Sequence, residues 1–340
     1  MPLFNEQFLV IDYGTTRIKG VLYENGPGGR RVLRLESLPI VLLENADLPE
    51  EDESGGMADL TEYEYNVTRF VQSFFPEESN YLLNLSLDRV YVRDLVIPIV
   101  NAKQINEVIP HEVENYLPVS LDEAEVIGKA WEIGEESSQV ITFTAPNESL
   151  VQRVQPLLRG TTSVRMLSLD AVGLANFIQL LDPTEYQDRV VGQIDIGGSL
   201  TILNIIKNGE LVFSRQLPIG GRDVDYIIAE EYNVDVDMAE TIKLGLELDV
   251  SSSGMRPEKT EQFYKRNKID KKAYEKLLKK TAEVYRDIAA EVERSLLSIP
   301  VEIPDAFFLS GGASLVSGVQ DLIGTRLECL KHIKFRNPSG

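Results

Sequence analysis

Cysteine is all but missing from this chain. A single thiol, Cys329, stands among 340 residues, so no disulfide forms within the fold, and the pattern fits a reducing compartment. Histidine is as scarce. His111 and His332 are far apart and lack ligand-like neighbours, so no zinc site is expected. Long apolar runs are lacking too: none approaches the roughly 20 residues a membrane helix needs. No signal-like segment opens the sequence, which predicts a cytoplasmic protein. Positive charge is outweighed, with 34 Lys and Arg against 54 Asp and Glu and a net charge of -20. That balance disfavours broad electrostatic binding to nucleic acid or anionic lipid. Much of that net charge lies between Glu44 and Glu64, where Glu50-Glu51-Asp52-Glu53 precedes Ser54-Gly55-Gly56; such a run reads as a solvated loop. No Gly-x-x-x-x-Gly-Lys-Ser/Thr occurs, so P-loop chemistry is excluded.

What the sequence does contain is one segment twice. Asp12-Tyr13-Gly14-Thr15-Thr16, then Lys19 and Asn25-Gly26, stands near the start; Asp195-Ile196-Gly197-Gly198-Ser199, then Asn208-Gly209, stands near the middle. In both, Asn-Gly follows the Asp by 13 residues, and a strand-like stretch then ends on Leu38-Pro39 or Leu217-Pro218. The insertion Pro27-Gly28-Gly29-Arg30 accounts for the greater length of the first copy. Each copy is predicted as strand, tight Gly turn, strand, Asn-Gly turn, strand. Two copies so far apart imply two similar α/β lobes rather than a solenoid. Helical spacing recurs after each: Val67, Phe70, Val71 and Phe74; Ile105, Val108, Ile109 and Val113; and Val224, Ile227 and Ile228 after Gly220-Gly221-Arg222-Asp223. The longest pattern runs from about Lys271 to Leu297, with Leu277, Leu278, Val284, Tyr285, Ile288 and Val292 as its apolar stripe. Ser251 to Pro257 reads as a loop.

A Gly-rich turn between strands can aim successive backbone N–H groups at an anion. Gly14, Gly197 and Gly198 permit close approach of phosphate. Thr15, Thr16 and Ser199 add hydroxyl donors, and Lys19 supplies a cation for terminal phosphates. Asp12 and Asp195 repel phosphate directly, but a magnesium ion resolves this, since it keeps several waters and takes one or two carboxylates beside substrate phosphates. One such turn is a common tight turn. Two, in equivalent places of duplicated lobes, are expected to face each other across a cleft and bind ATP with magnesium. A third cluster, Ser310-Gly311-Gly312-Ala313-Ser314, follows the apolar stretch Ala306 to Leu309. A nucleobase or ribose could lie on it; the plainer alternative is a strand-to-helix turn.

Taken together, these motifs resemble those of the actin, sugar kinase and heat-shock chaperone superfamily, which implies an α/β, actin-like (ribonuclease H-like) duplicated two-lobe fold. Gly221 to Tyr226 resembles a segment of actin and leads to Lys243, similar to the position where actin-like proteins place a lysine near the nucleoside. A lysine solvated on an amphipathic helix is the alternative. Asp170 falls where actin-fold ATPases place a polar residue to orient water, and it is equally good as a helix cap. The resemblance therefore implies ATP binding with at most slow hydrolysis.

Within the superfamily the chain most resembles the PilM family of type IV pilus assembly, with FtsA and the cytoplasmic domain of GspL as close relatives. Val96-Ile97-Pro98, Gln104 to Glu114, Tyr116-Leu117-Pro118 and Asp122-Glu123 resemble that family's small inserted α+β domain, and the match runs on through Leu169-Asp170-Ala171, Gln216 to Gly221 and Asn337-Pro338. The implied layout is a first lobe over 1–86, the insert and return over 87–160, a second lobe over 161–325 and a terminal strand and tail over 326–340. Tyr13 and Arg17 depart from the family pattern and are expected at the pocket rim. A scaffold at the inner membrane of a bacterium is implied, holding the tail of a PilN-like or GspM-like protein; an assembly ATPase and a second copy are further partners to test. The insert is expected to form a groove against the first lobe, surrounded by Glu112, Glu114 and Asp122, for a partly basic tail. The alternatives are a GspL-like type II secretion component, an actin-fold small-molecule kinase, and a polymerising actin.

Overall fold

The computed structural model describes residues 5–42, 61–158, 162–181, 189–248, 270–299, 301–328 and 334–336. The acidic run Glu50 to Glu53, the stretch Ser251 to Pro257, Cys329, His332 and Asn337-Pro338 lie outside the described residues. The chain divides into two units, Met1–Gly173 and Leu174–Gly340.

The first unit runs β1 (Glu6–Tyr13), β2 (Arg17–Gly26), β3 (Gly29–Pro39), α1 (Glu62–Phe74), β4 (Asn80–Leu85), β5 (Tyr91–Ile97), α2 (Ala102–Glu114), β6 (Ala124–Ile133), β7 (Ser138–Pro146), α3 (Asn147–Val154), β8 (Ser163–Leu169) and the start of α4 (Asp170–Leu181). Its main sheet has the order β3-β2-β1-β4-β8. The first three strands are antiparallel, whereas β4 and β8 run parallel to β1. Strand alternation sends Leu9, Ile11, Ile18, Leu22, Tyr81 and Leu83 to one face, where Val67 and Phe70 of α1 cover them. Burying a side chain such as Phe70 contributes about 2–3 kcal/mol. A capping box between Thr61 and Glu64 starts α1. The insert is a second sheet, β5-β7-β6. Ile105 and Ile109 of α2 pack on one of its faces against Ile97 and Val140.

The second unit repeats the plan with β9 (Val190–Ile196), β10 (Thr201–Lys207), β11 (Glu210–Leu217), α5 (Gly221–Tyr232), α6 (Val236–Leu244), α7 (Lys271–Ser298), β12 (Ala306–Ser310), α8 (Val319–Leu327) and β13 (Lys334–Arg336). Its sheet order, β11-β10-β9-β12-β13, matches the first unit strand for strand, and the strand directions match as well. Tyr274, Leu277, Tyr285, Ile288 and Val292 form the buried stripe of α7.

The two hairpins differ. Asn208 and Gly209 turn with φ of 55° and 79°, the positive pair that an Asn-Gly turn requires. In the first copy Asn25 and Gly26 stay in β2, paired with Arg30 and Gly29, which corrects the expected Asn-Gly turn there. The insertion carries the turn instead. Pro27 presets φ for a turn position, and Gly29 takes the positive φ of 99°.

Candidate functional site

β1 and β2 meet at the first Gly turn, where the Gly14 N–H donates to the Arg17 carbonyl at 3.1 Å. The second turn repeats this bond, Gly197 N–H to the Leu200 carbonyl at 2.9 Å. Thr15 and Thr16 occupy the first turn, Gly198 and Ser199 the second. Asp12 pairs across the hairpin with Lys19, and the Lys19 ammonium lies 3.3 Å from its carboxylate, with the two side chains 58% and 40% exposed. An ion pair this open contributes at most about 1 kcal/mol, so Lys19 can turn to another anion at little cost. The equivalent partner of Asp195 is Ile202. The two turns are therefore alike in backbone and unlike in charge.

A residue the sequence reading missed completes the first turn. Asn84, at the end of β4, lies in register with Asp12. Its side-chain amide donates to Asp170 and stands 3.5 Å from Asp12. Nothing in the local sequence marks Asn84; only parallel pairing of β4 with β1 brings it there. Asp170 opens α4, so its place at a helix start and its place beside the turn coexist. Tyr13 is not at a rim: alternation puts its ring with the core, edge-on to Tyr63 at 4.8 Å and 5.2 Å from the Arg153 guanidinium. Burial pushes its phenol up to about 12. Arg17 instead reaches along the surface to Ser37 at 2.9 Å.

In the second unit, Ser310 at the end of β12 is in register with Asp195 and donates to it at 2.7 Å. The N-terminus of α5 fastens this turn, with Gly221 and Arg222 N–H groups on the Gly197 and Gly198 carbonyls at 2.9 and 2.7 Å. Gly311 sits at φ 90°, and a Cβ there would overlap the Ile196 carbonyl. Only glycine serves at this position. Beside it, Gly312 is exposed, with open space where a side chain would be. The Tyr285 hydroxyl holds the Ala313 carbonyl at 2.9 Å, and the Ser314 hydroxyl holds that of Gly311 at 2.7 Å.

Lys243 is neither solvated nor open. Its ammonium is buried on α6 and bonds the Asp225 carboxylate at 2.8 Å and the Gly221 carbonyl at 3.1 Å. Burial pushes the Asp225 carboxyl up, against the lowering effect of Lys243. Lys243 thereby ties α6 to the start of α5, next to Ala313.

A cavity of about 160 Å³ lies within the first unit, lined by Leu85, Ile127, Phe143, Leu150 and Leu169, with Glu125 as its one charged lining residue among the described residues. It joins the ends of β4 and β8 to the insert sheet and α3. Its walls correct one expectation. Ile127 and Phe143 point to the face of the insert sheet opposite Val126 and Val140, which meet α2. Glu112 and Glu114, exposed on α2, thus belong to the other side of that sheet, and Glu125 is the carboxylate at the cavity. Asp122 precedes β6, with its carbonyl accepting from Asn147 at 3.2 Å.

The family model for the type IV pilus assembly protein PilM matches residues 10–254. Among solved structures, a PilM-PilN type IV pilus biogenesis complex aligns with 20% identity and a TM-score of 0.68, covering 99% of this chain and 89% of that one. MreB 5 of Spiroplasma citri bound to AMPPNP aligns with 15% identity and a TM-score of 0.50, covering 98% of this chain and 92% of that one. At these identities the likeness is one of fold: the architecture is actin-like.

Proposed function

The chain belongs to the PilM family of type IV pilus assembly proteins, and from that premise we propose that it is an ATP-binding, actin-like scaffold that holds the tail of a PilN-like membrane protein. The observation that carries the nucleotide reading is the paired construction of the turns: each unit presents an Asp beside a Gly turn, with a donor on the neighbouring parallel strand set against it. Gly14, Thr15, Thr16, Lys19, Gly197, Gly198 and Ser199 are the phosphate-side groups. Asp12 and Asp195 are the carboxylates that would hold magnesium, and Gly311, Gly312, Ala313 and Ser314 would receive the nucleoside. Lys243 supports that last segment from below. Magnesium, when bound, neutralises phosphate charge beside carboxylates that phosphate alone would avoid. Asp170, with Asn84, is the water-orienting candidate. Asp170 also opens α4, and in this reading turnover is slow at most. MreB 5, solved with AMPPNP, lends the fold's precedent for a triphosphate.

The scaffold reading rests on the cavity. At about 160 Å³ it is the size that accepts one small aromatic or branched aliphatic group, and Glu125 favours a basic neighbour on the incoming segment. The similar complex pairs PilM with PilN, which supports a PilN-like partner. Among the described residues no helix is long and apolar enough to cross a membrane; in this reading the partner supplies the attachment to the inner membrane.

Calorimetry of ATP with magnesium on the wild-type chain, Asp12→Ala and Asp195→Ala tests the nucleotide site. Weaker binding in both variants is expected, and unchanged affinity in both overturns it.

A further inference from the structure

We propose that Asn84 is a positioning residue whose one amide sets the spacing of Asp12 and Asp170, an inference that rests on the magnesium–ATP reading of the first turn. Both neighbours of its amide are carboxylates, which when ionised only accept hydrogen bonds. The side chain must therefore face them with its NH2 group, and that group has two protons to give. Without it, the two carboxylates would lose the donor they share, and like charges this close repel.

The second unit supplies an independent observation. Ser310 occupies the position equivalent to Asn84, at the same register of the fourth strand in the sheet's fold plan, and donates to the equivalent Asp195. A hydroxyl has one proton to donate, an amide two. In the second unit this donor serves one carboxylate; in the first it serves the turn carboxylate and the helix-start carboxylate together. The residue type at each site matches the number of acceptors it meets. Asn84 thus acts on ligand through Asp12 and Asp170 and needs no contact of its own.

The test compares wild-type chain, Asn84→Ala and Asn84→Ser, measuring ATP affinity by calorimetry with magnesium and with the metal chelated, and melting each chain without ligand. The quantity read is the gain in affinity that magnesium brings. Asn84→Ala should cut that gain on the order of tenfold, the scale of a lost hydrogen bond to a charged group. Asn84→Ser should recover part of it, because its hydroxyl restores one donor. A merely structural role would lower the melting temperature and weaken ATP equally with and without the metal; that result overturns the proposal, as does an unchanged gain in Asn84→Ala. If the alanine chain does not fold, the serine chain carries the test, with a gain equal to wild type overturning it. No gain in the wild-type chain overturns the magnesium–ATP reading and this inference with it. A wild-type gain that survives in the variants overturns the role of Asn84 alone.

Discussion

Removing one member of the Lys243–Asp225 pair should be far more damaging than removing both. The two charges lie 2.8 Å apart with side chains 5% and 1% exposed. At an effective dielectric of about 20 their attraction is about 6 kcal/mol, and the desolvation of two ions, several kcal/mol each, cancels most of it. One carboxylate oxygen of Asp225 is also buried without a hydrogen-bond partner. Lys243→Met or Asp225→Asn leaves the other group buried and uncompensated, at a cost of about 3–5 kcal/mol. For a cooperative unit of this size that is a fall in melting temperature of roughly 6–20 °C. The double variant Lys243→Met with Asp225→Leu should stay within about 1 kcal/mol of wild type. Urea titrations followed by circular dichroism read each difference from the midpoint at constant slope. Acid should separate the single variants. The Asp225 carboxyl is already pushed up by burial. A raised folded value means that this group favours folding below its unfolded pKa and loses that contribution as pH rises through the folded one. Lys243→Met removes the partner that lowers it, so its loss should be greatest at neutral pH and shrink as pH falls toward 4. Asp225→Asn strands an ammonium instead, and its loss should not shrink on acidification. Single variants within 1 kcal/mol of wild type, or a double variant as weak as the two summed, would refute the reasoning.

Two further outcomes follow from the site. Steady-state ATP hydrolysis by the isolated chain should fall well below the enzyme median of about 10 s⁻¹, because Asp170 shares its place with a helix start; a phosphate-release assay reaching that median contradicts a scaffold. Glu125→Lys or Ile127→Asp should abolish capture of a basic, leucine-bearing PilN-like tail in a pull-down, whereas Glu112→Lys with Glu114→Lys should not; the reverse pattern moves the tail to the α2 side of the insert.

Much of the framework was legible because it was written locally. Two Asp-x-Gly turns at equal distance from Asn-Gly implied a duplicated plan, and the matching sheet orders bear out that duplication. Helical stripes such as Val67 with Phe70, and Ile105 with Ile109, landed where their spacing put them. What sequence could not show depended on pairing between distant segments. Asn84 lies 72 residues from Asp12 and 86 from Asp170, and only strand register unites them. Lys243 was open to two readings because helical spacing alone does not say what covers a helix. The side of the insert that forms the cavity was illegible for a similar reason. Alternation along β6 separates Val126 from Ile127, but which face meets α2 is a matter of packing. Pro27 misled differently: a proline and two glycines outcompeted a good Asn-Gly signal two residues earlier.

The ends of β4 and β8 have a consequence for how this protein can change over time. Leu85 and Leu169 look into the cavity, while the residues next to them in the chain, Asn84 and Asp170, belong to the cluster at the Gly turn. Alternation along β4 sends Asn84 and Leu85 to opposite sides, and α4 begins at Asp170 directly after Leu169 ends β8, so the two surfaces meet at the same two strand ends. They share a backbone but no side chain. Drift at Leu85 or Leu169 can reshape the cavity while leaving the polar side chains at the turn untouched, and a descendant can lose Asn84 or Asp170 without repacking the cavity. A shift of either strand end is another matter, because it displaces both surfaces together. Point substitution is the route by which the two surfaces can diverge, and movement of the main chain is the route by which they stay in step.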